Sequence, residues 1–597
     1  MKRFLPVLLL AVAVLGVYAP AVRNGFVWDD AALVLRDPLI RSWRLIPEGF
    51  QHFLFTDATA SDFYRPIQRL TYTLEYAAFG LVPAPYHITS IVCHLLAAVA
   101  LLFFARELLR AFGVAQKTRD WFSILATLVW AIHPLQTSAV AYISGRADSL
   151  AAAFGFAGLY LGLVSSRATG RRWWILTGGS AVLFLLSVLS KEAGFVFVAA
   201  WLAFLLFQKK WREVLRAGVA VLFVVVIYLS LRVPAAHTPP PAASSLPLLV
   251  RPVLVARAIA EYTGLILLPL NLHMDRDVET RPSGFSRESI TGAAWRELQT
   301  LAGISLLAAF FYWMWRARKR DPAIFFLLVL TSISYLPMSG VFPLNATVAE
   351  HWLYLPTAFL FLAAGLSCWR TLQVVPNRPT QARMLTGALA LWILFLGGRT
   401  FIRTFDWRDP RTFLERTIAQ GGDSARMLIN LGGLELSEGR LDEAKKHLHA
   451  ALKKEPDQPF AVINLAAVAV KEDDFKTAHE LLERAKDMPI VDAQAYELLT
   501  ILEGKEKGSA NLLRMRLAAR TGPPNWAIEK RYVKLLAEAG ASEAAMGELR
   551  YCLATQWYRA ETWQLLSELL SKAGRADEAA AAMTRARRYD VRLSDRL

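Results

Sequence analysis

Long apolar runs recur along the first two-thirds of the chain and then stop. Stretches of about 14–20 residues occupy 4–21, 87–105, 121–140, 147–165, 173–190, 194–207, 214–231, 297–315, 323–338, 352–369 and 383–401. Most are long enough to cross a bilayer core of about 30 Å, so the pattern predicts eleven transmembrane helices. The first run follows Met1-Lys2-Arg3; its length, and the many runs behind it, read as an uncleaved first helix rather than a signal peptide. From Phe405 to Leu597 charges of both signs fall every few residues and no long apolar run exists. The shift lies at Thr404–Pro410 and separates a polytopic membrane unit from a C-terminal unit.

A twelfth apolar stretch, 252–270, is assigned by charge. Basic clusters favour the cytoplasmic side of a membrane. They occur at Arg106/Arg110/Lys117/Arg119, Arg167/Arg171/Arg172, Lys209/Lys210/Arg212/Arg216 and Arg316/Arg318/Lys319/Arg320. With eleven spans all four, together with Lys2 and Arg3, share one side. A span at 252–270 would move the Arg316–Arg320 cluster across, so this stretch reads as an interfacial or re-entrant helix. The C-terminal unit then lies on the non-cytoplasmic side.

That unit repeats. Leu431-Gly432, Gly439, Ala444, Ala451 and Pro456 are echoed by Leu465-Ala466, Ala478 and Ala485, with 34 residues between Ala444 and Ala478 and between Ala451 and Ala485. A later unit has Trp563, Gly574, Ala579 and Ala586. This is the spacing of tetratricopeptide repeats (TPRs), in which small residues sit where paired helices cross closely. Two degenerate units between about 493 and 558 would complete about five repeats, stacked as a solenoid with a concave face. The predicted fold class is therefore all-α. A membrane domain covers 1–403, with an exterior loop at 22–86. A linker and first helix cover 404–422, and the TPR solenoid covers 423–597.

Composition narrows the function classes. The chain is 55% hydrophobic and only 20% charged, with a net charge of +17 and a mean hydropathy of +0.33. These values exclude a disordered chain and a purely soluble enzyme. Three cysteines, Cys93, Cys368 and Cys552, exclude a disulfide scaffold and an all-cysteine zinc site. The positive charge follows the membrane topology. No basic stripe is interleaved with stacking aromatics, so nucleic acid is not an expected partner.

Candidate chemistry collects on the non-cytoplasmic side. The exterior loop opens with Asn24-Gly25-Phe26-Val27-Trp28-Asp29-Asp30. Repulsion and partial burial should raise the pKa of one of two adjacent carboxylates, which suits a base taking a proton from a hydroxyl, or a metal ligand. The same pair also fits the N-cap of a short interfacial helix. Tyr64-Arg65-Pro66, His133-Pro134, Ser144-Gly145-Arg146-Ala147-Asp148, Lys191-Glu192 and Glu350-His351-Trp352-Leu353-Tyr354 fall at or near helix ends on that side. Ionisable residues at membrane depth mark either a site or an internal pair. Each has a plainer reading: Arg146 and Asp148 pairing with each other, Lys191 and Glu192 snorkelling, His133 bonding a carbonyl. Their gathering on one face favours a shared exterior site in which basic members hold a phosphate and acidic members activate an acceptor. His87, His133 and His351 lack the helical pairing of a metal site. No metal is expected, although magnesium or manganese on Asp29/Asp30 stays open.

These motifs, in this order and followed by TPRs, resemble the transmembrane-and-TPR (TMTC) protein O-mannosyltransferases and their bacterial relatives in the GT-C superfamily. The resemblance runs from about Asn24 to the last repeat, and the short solenoid suits a bacterial member. It implies a polytopic glycosyltransferase that moves a mannose-like sugar from a polyprenyl-phosphate donor to a protein hydroxyl, with inversion and with no required cofactor. It implies Asp29 as the base with Asp30 as its partner. Arg146 and Lys191, backed by Arg65 and His351, are expected to meet the donor phosphate. His133, Asp148, Glu192, Glu350, Tyr64 and Tyr354 are expected to support them. The expected partners are the lipid-linked sugar, a protein acceptor held by the solenoid, and membrane lipids. The expected location is a bacterial inner membrane with the solenoid in the periplasm or exterior, or the ER membrane with a lumenal solenoid in a eukaryote. Two positions depart from the family pattern. Ser138 stands where an acidic residue follows the His-Pro motif, and His351 where animal members tend to carry Arg. Two other functions fit the same architecture: a transferase or O-antigen-type ligase acting on a lipid-linked glycan, and a non-catalytic membrane-anchored TPR scaffold.

Overall fold

The computed structural model describes residues 5–56, 61–236, 247, 249–278, 286–341, 346–374 and 379–593. Among them are no strands; Arg276 and Val348 form an isolated antiparallel bridge. The eleven apolar segments are all helical, but they are of three kinds. Among the described residues, eight helices are long and apolar enough to cross a membrane: Leu5–Arg23, Pro83–Ala111, Arg146–Ser165, Gly170–Ser190, Trp211–Arg232, Ser289–Arg320, Glu350–Thr371 and Arg383–Trp407. The segment read as one span at 121–140 is a pair, Gln116–Ala131 and Pro134–Val140, bent by 56°. Pro134 is the cause: it disfavours α geometry at the preceding residue, and His133 is extended with ψ 135°. The segments at 194–207 and 323–338 are shorter apolar helices, Glu192–Phe207 and Pro322–Met338.

Helix Arg251–Leu267 has 17 residues and carries Arg251, Arg257 and Glu261 along its length, so it does not join the long apolar set. Outer helices leave apolar side chains exposed, as with Leu215, Val219, Leu222, Val226 and Leu229 on Trp211–Arg232, which suits a lipid solvent. Inner helices meet around Phe104, Trp130, Phe156, Phe197, Tyr354 and Phe359. Their approach needs small residues: a Cβ at Gly155 would lie 2.1 Å from the Phe197 ring.

The exterior loop is knotted by one arginine. Arg69 Nε donates to Asp37 (3.1 Å), and its two terminal nitrogens donate to the carbonyls of Gly49, His52, Phe53 and Leu54. That turns an irregular segment into a rigid cap on the helix ends.

After Trp407 comes helix Pro410–Ala419, and then ten helices from Ala425–Ser437 to Ala576–Tyr589 pair in sequence order as five antiparallel hairpins. The small positions that set the repeat, Ala444, Ala451, Ala478, Ala485, Ala579 and Ala586, are all buried where the helices cross. Both ends of the solenoid dock on the membrane unit. At the start, Trp407 stacks on Tyr142 at 4.9 Å and packs against Phe413, which also meets Trp28. At the end, Tyr76 donates to Asp590 (2.8 Å), Ser42 to the Arg588 carbonyl (3.0 Å), and Arg592 to the carbonyls of residues 76–78. The solenoid is thus an arch over the exterior loop.

Candidate active site

The Asp pair is set by a turn in which Trp28 adopts φ +52°, a left-handed conformation costly for a bulky residue. It is held from both sides. Asn24 Nδ2 donates to the Thr404 carbonyl (2.9 Å) and the Gly25 amide to that of Arg408 (2.8 Å). The Trp28 ring lies against Phe413 and under the guanidinium of Arg426, from the first repeat helix. A strained turn held this firmly marks a place where side-chain direction matters.

The two carboxylates have different jobs. Asp30 is fully buried and accepts three hydrogen bonds: from the amide of Val27 (3.0 Å), and from the amide (2.8 Å) and hydroxyl (2.6 Å) of Ser144. It joins the exterior loop to the Ser144–Asp148 motif. Burial outweighs these bonds and pushes its pKa up to about 7. Asp29 is half-buried. Its amide donates to the Tyr142 hydroxyl (3.1 Å). Burial raises its carboxyl above the ordinary value, opposed by the Tyr142 hydroxyl and by the charges of Arg65 and Arg426. It is the less buried member of the pair.

A second group lies beside it. Lys191 Nζ is 2.7 Å from Asp148, Arg65 Nε is 3.3 Å from Glu192, and Arg232 Nη1 is 3.7 Å from the same carboxylate. Glu192 also accepts from the Tyr64 amide (3.0 Å). His351 sits within the fields of Lys191, Asp148 and Arg65, and Arg65 acts on Asp29. Asp29, Arg65, Lys191, Asp148, Glu192 and His351 are therefore one neighbourhood. Pairing makes its cations tolerable where water is scarce, and each keeps N–H groups beyond its carboxylate partner.

Other motif residues belong to the frame. Arg146 is fully buried. Its Nε donates to Ser90 (3.1 Å), Nη1 to Thr71 (2.8 Å) and Glu75 (2.7 Å), and Nη2 to the Tyr86 carbonyl (2.5 Å). Four of its five donors are committed to these protein partners. Its partner is Glu75 and not Asp148. His133 accepts from the Leu135 amide and bonds the Ile266 carbonyl (3.0 Å), tying the bend to helix Arg251–Leu267. Glu350 is buried against Arg403 (3.3 Å), which also holds Asp406 (2.6 Å). Tyr354 hydrogen-bonds His94 (2.7 Å) in the core, and the Tyr64 hydroxyl donates to the Phe50 carbonyl (2.8 Å).

Three neighbours were not singled out from sequence. Tyr142 lies two residues before Ser144, so the motif edge was its signal. Arg232 closes an apolar helix, and Arg426 comes from the repeats; only folding brings them here. Gly145 is a further constraint, because a Cβ there would lie 2.0 Å from the Ser138 carbonyl. Gly145→Ala should lower stability by about 1–3 kcal/mol and loosen the Asp30 clamp. Thermal unfolding in detergent checks this; an unchanged midpoint would show that the loop yields freely.

Residues 435–500 match the Tetratricopeptide repeat family. The chain is similar to protein O-mannosyl-transferase F38B6.6 of Caenorhabditis elegans, 24% identical over 472 residues that cover 74% of this chain and 61% of that protein. It is similar to human protein O-mannosyl-transferase TMTC3 at 23% over 502 residues, covering 78% and 53%, and to Drosophila melanogaster Tmtc1 at 25% over 549 residues, covering 75% and 61%. The chain thus spans between about half and three-fifths of the length of these curated relatives. Among solved structures, ArnT from Cupriavidus metallidurans in the apo state is 15% identical, covering 84% of this chain and 76% of that one with a TM-score of 0.35. The likeness to these transferases extends over about three-quarters of the chain, and the chain is an integral membrane protein.

Proposed function

We propose that the chain is a GT-C-type glycosyltransferase that moves a mannose-like sugar from a polyprenyl-phosphate donor to a hydroxyl of a protein acceptor. The observation that carries this is the asymmetry of the Asp pair: Asp30 is consumed by three hydrogen bonds, while Asp29 stays half-buried, raised in pKa, and beside paired cations. The named activity of the curated relatives supports the same reading.

In the proposed reaction the acceptor hydroxyl oxygen attacks the anomeric carbon as its proton passes to the Asp29 carboxylate. The bond from that carbon to the phosphate oxygen breaks, and the lipid phosphate leaves with the electron pair. Attack from the face opposite the leaving group inverts the centre. Arg65 and Lys191, with His351 beside them, meet the charge that develops on the phosphate. Asp148 and Glu192 hold these cations in place. The distribution of basic clusters supports a site and solenoid on the non-cytoplasmic side, in a bacterial inner membrane or in the ER membrane of a eukaryote.

The test is transfer of labelled sugar from a synthetic polyprenyl-phosphate donor in proteoliposomes, wild type beside Asp29→Asn. Label on protein that disappears in the variant supports the reading; equal transfer by both removes Asp29 as base. The proposal includes no cofactor. Treatment with EDTA is therefore expected to leave the rate within about twofold, since a metal-assisted step would lose several kcal/mol of stabilisation with its ion. A rate abolished by EDTA and restored by magnesium or manganese would assign the Asp pair a metal.

A further inference from the structure

Where the arch closes on the exterior loop it leaves a cavity of about 590 Å³, within the size range of ligand sites. One wall is the short helix Ala31–Leu35 that follows the Asp pair and the turns after it, with Ala32, Leu35, Arg36 and Arg41; the other is the start of two repeat helices, with Trp526, Arg559 and Gln564. The lining residue Ala32 lies three positions after the proposed base, in the turn where its amide donates to the Asp29 carbonyl (3.0 Å).

Among the described lining residues three are arginines, of which Arg559 bonds Gln556 through Nε (2.7 Å). Arg36 is exposed. Arg41 is 8% exposed, with one terminal nitrogen bonded to the carbonyls of Val34 and Leu35 and the other, Nη1, buried without a partner. Arg559 adds a third guanidinium beside the Trp526 ring. The two acids in the lining are occupied: Glu561 by Trp526 (2.7 Å) and Lys530, Asp590 by Tyr76 (2.8 Å) and the Arg592 amide (3.0 Å). A buried guanidinium nitrogen without a partner is costly and suits an incoming anion.

We propose that this cavity is the acceptor entry site and that it takes an extended polypeptide segment carrying carboxylate side chains. The inference rests on the transferase reading above. The lining comes from the exterior loop and the repeats, with none from the membrane helices, which disfavours a lipid headgroup. The arch is fixed at both ends, by Phe413 and Trp407 at one and residues 588–592 at the other. A cavity of about 590 Å³ takes a few residues of an extended chain and not a folded domain. The apolar Leu35 and Trp526 and the polar Gln564 suit alternating side chains of such a chain.

The test uses the full chain in nanodiscs and a fluorescent Ser/Thr/Gly peptide with regularly spaced Asp, against the same peptide with Asn. Fluorescence anisotropy should give roughly tenfold tighter binding of the Asp peptide, and Arg36→Gln should remove most of that preference. Arg36 is exposed and its Nε meets only the Ala31 carbonyl, so folding should survive; Gln564→Ala is a second, uncharged change that should weaken both peptides alike. Equal binding of the two peptides, or a preference indifferent to Arg36, overturns the proposal. So does tighter, Arg36-dependent binding of polygalacturonate, which would assign the cavity to an acidic glycan. No sugar donor is needed. Arg36-dependent peptide binding without transfer by wild type would keep a peptide site and remove the transferase; transfer indifferent to Arg36 would do the reverse.

Discussion

Asp29→Asn is expected to lower sugar transfer by about 100- to 10,000-fold, the span that a positioned general base contributes. Asn keeps the size and shape of Asp and cannot take the proton. The fold gives this variant little reason to unfold: the main-chain amide at position 29 still donates to Tyr142, Asn keeps an oxygen that can accept from that hydroxyl, and the three-bond clamp belongs to Asp30. Asp30→Asn should behave in the opposite way. The amide of Val27 donates to one oxygen of Asp30 and the Ser144 groups to the other, so an NH₂ in either place opposes a donor and costs about 1–3 kcal/mol. Measuring turnover and unfolding on both variants separates base from clamp. More than a tenth of wild-type transfer in well-folded Asp29→Asn would end the assignment.

The pH profile adds a check on sign. The carboxyl of Asp29 is raised above its ordinary 3.8, chiefly by burial. A base acts when deprotonated, so the rate should rise with pH, with its acid-side inflection above 3.8. Because Asp30 is pushed up to about 7 and each charge opposes the other, the inflection belongs to the pair rather than to either residue. An inflection at or below the ordinary value would mean that the base is an exposed carboxylate elsewhere.

Hydropathy carried most of the membrane unit, because a lipid-facing helix needs a long apolar run regardless of its neighbours. It did not distinguish a straight span from the bent pair at His133-Pro134, since both halves are apolar and the bend comes from a single proline. The repeats were legible where Ala sits at every close crossing, as at Ala444 and Ala478. They faded between 493 and 558, where helix Leu512–Arg520 buries Met515 and Ala518, off the 34-residue step from Ala478 and Ala485. At the site, the motifs included residues that lie together, such as Asp148, Lys191, Arg65 and Glu192, and others that bond elsewhere, such as Arg146 and His133, and did not tell which bond to which. Asp148 takes Lys191 from another helix rather than the nearby Arg146. Arg426 reaches the Asp pair only because the arch returns its first helix to the exterior loop. Pairing of this kind is decided by three-dimensional distance, and local spacing does not encode it.

Arg146 shows how far that matters, and its substitution is the second large effect. Arg146→Met removes the partner of Glu75, a carboxylate 6% exposed, and leaves Ser90, Thr71 and the Tyr86 carbonyl without their donor. Breaking a buried pair from one side costs about 3–5 kcal/mol, because the remaining charge stays buried and uncompensated. The three helices that it joins, Pro66–Phe79, Pro83–Ala111 and Arg146–Ser165, should loosen together, and the cap over the site with them. Arg146→Lys should fall between, since an ammonium lacks the planar fork that reaches these partners at once and lies over the Tyr72 ring at 4.9 Å. The decisive comparison is the double change Arg146→Met with Glu75→Leu. Replacing both members of a buried pair by apolar groups is often close to neutral, so the double variant should regain most of the lost stability, measured as a coupling between the two positions. Frame and phosphate site then part company. If Arg146 only holds helices, recovered stability brings recovered transfer. If it meets the leaving phosphate, the double variant folds and stays inactive, with the loss in turnover and not in unfolding.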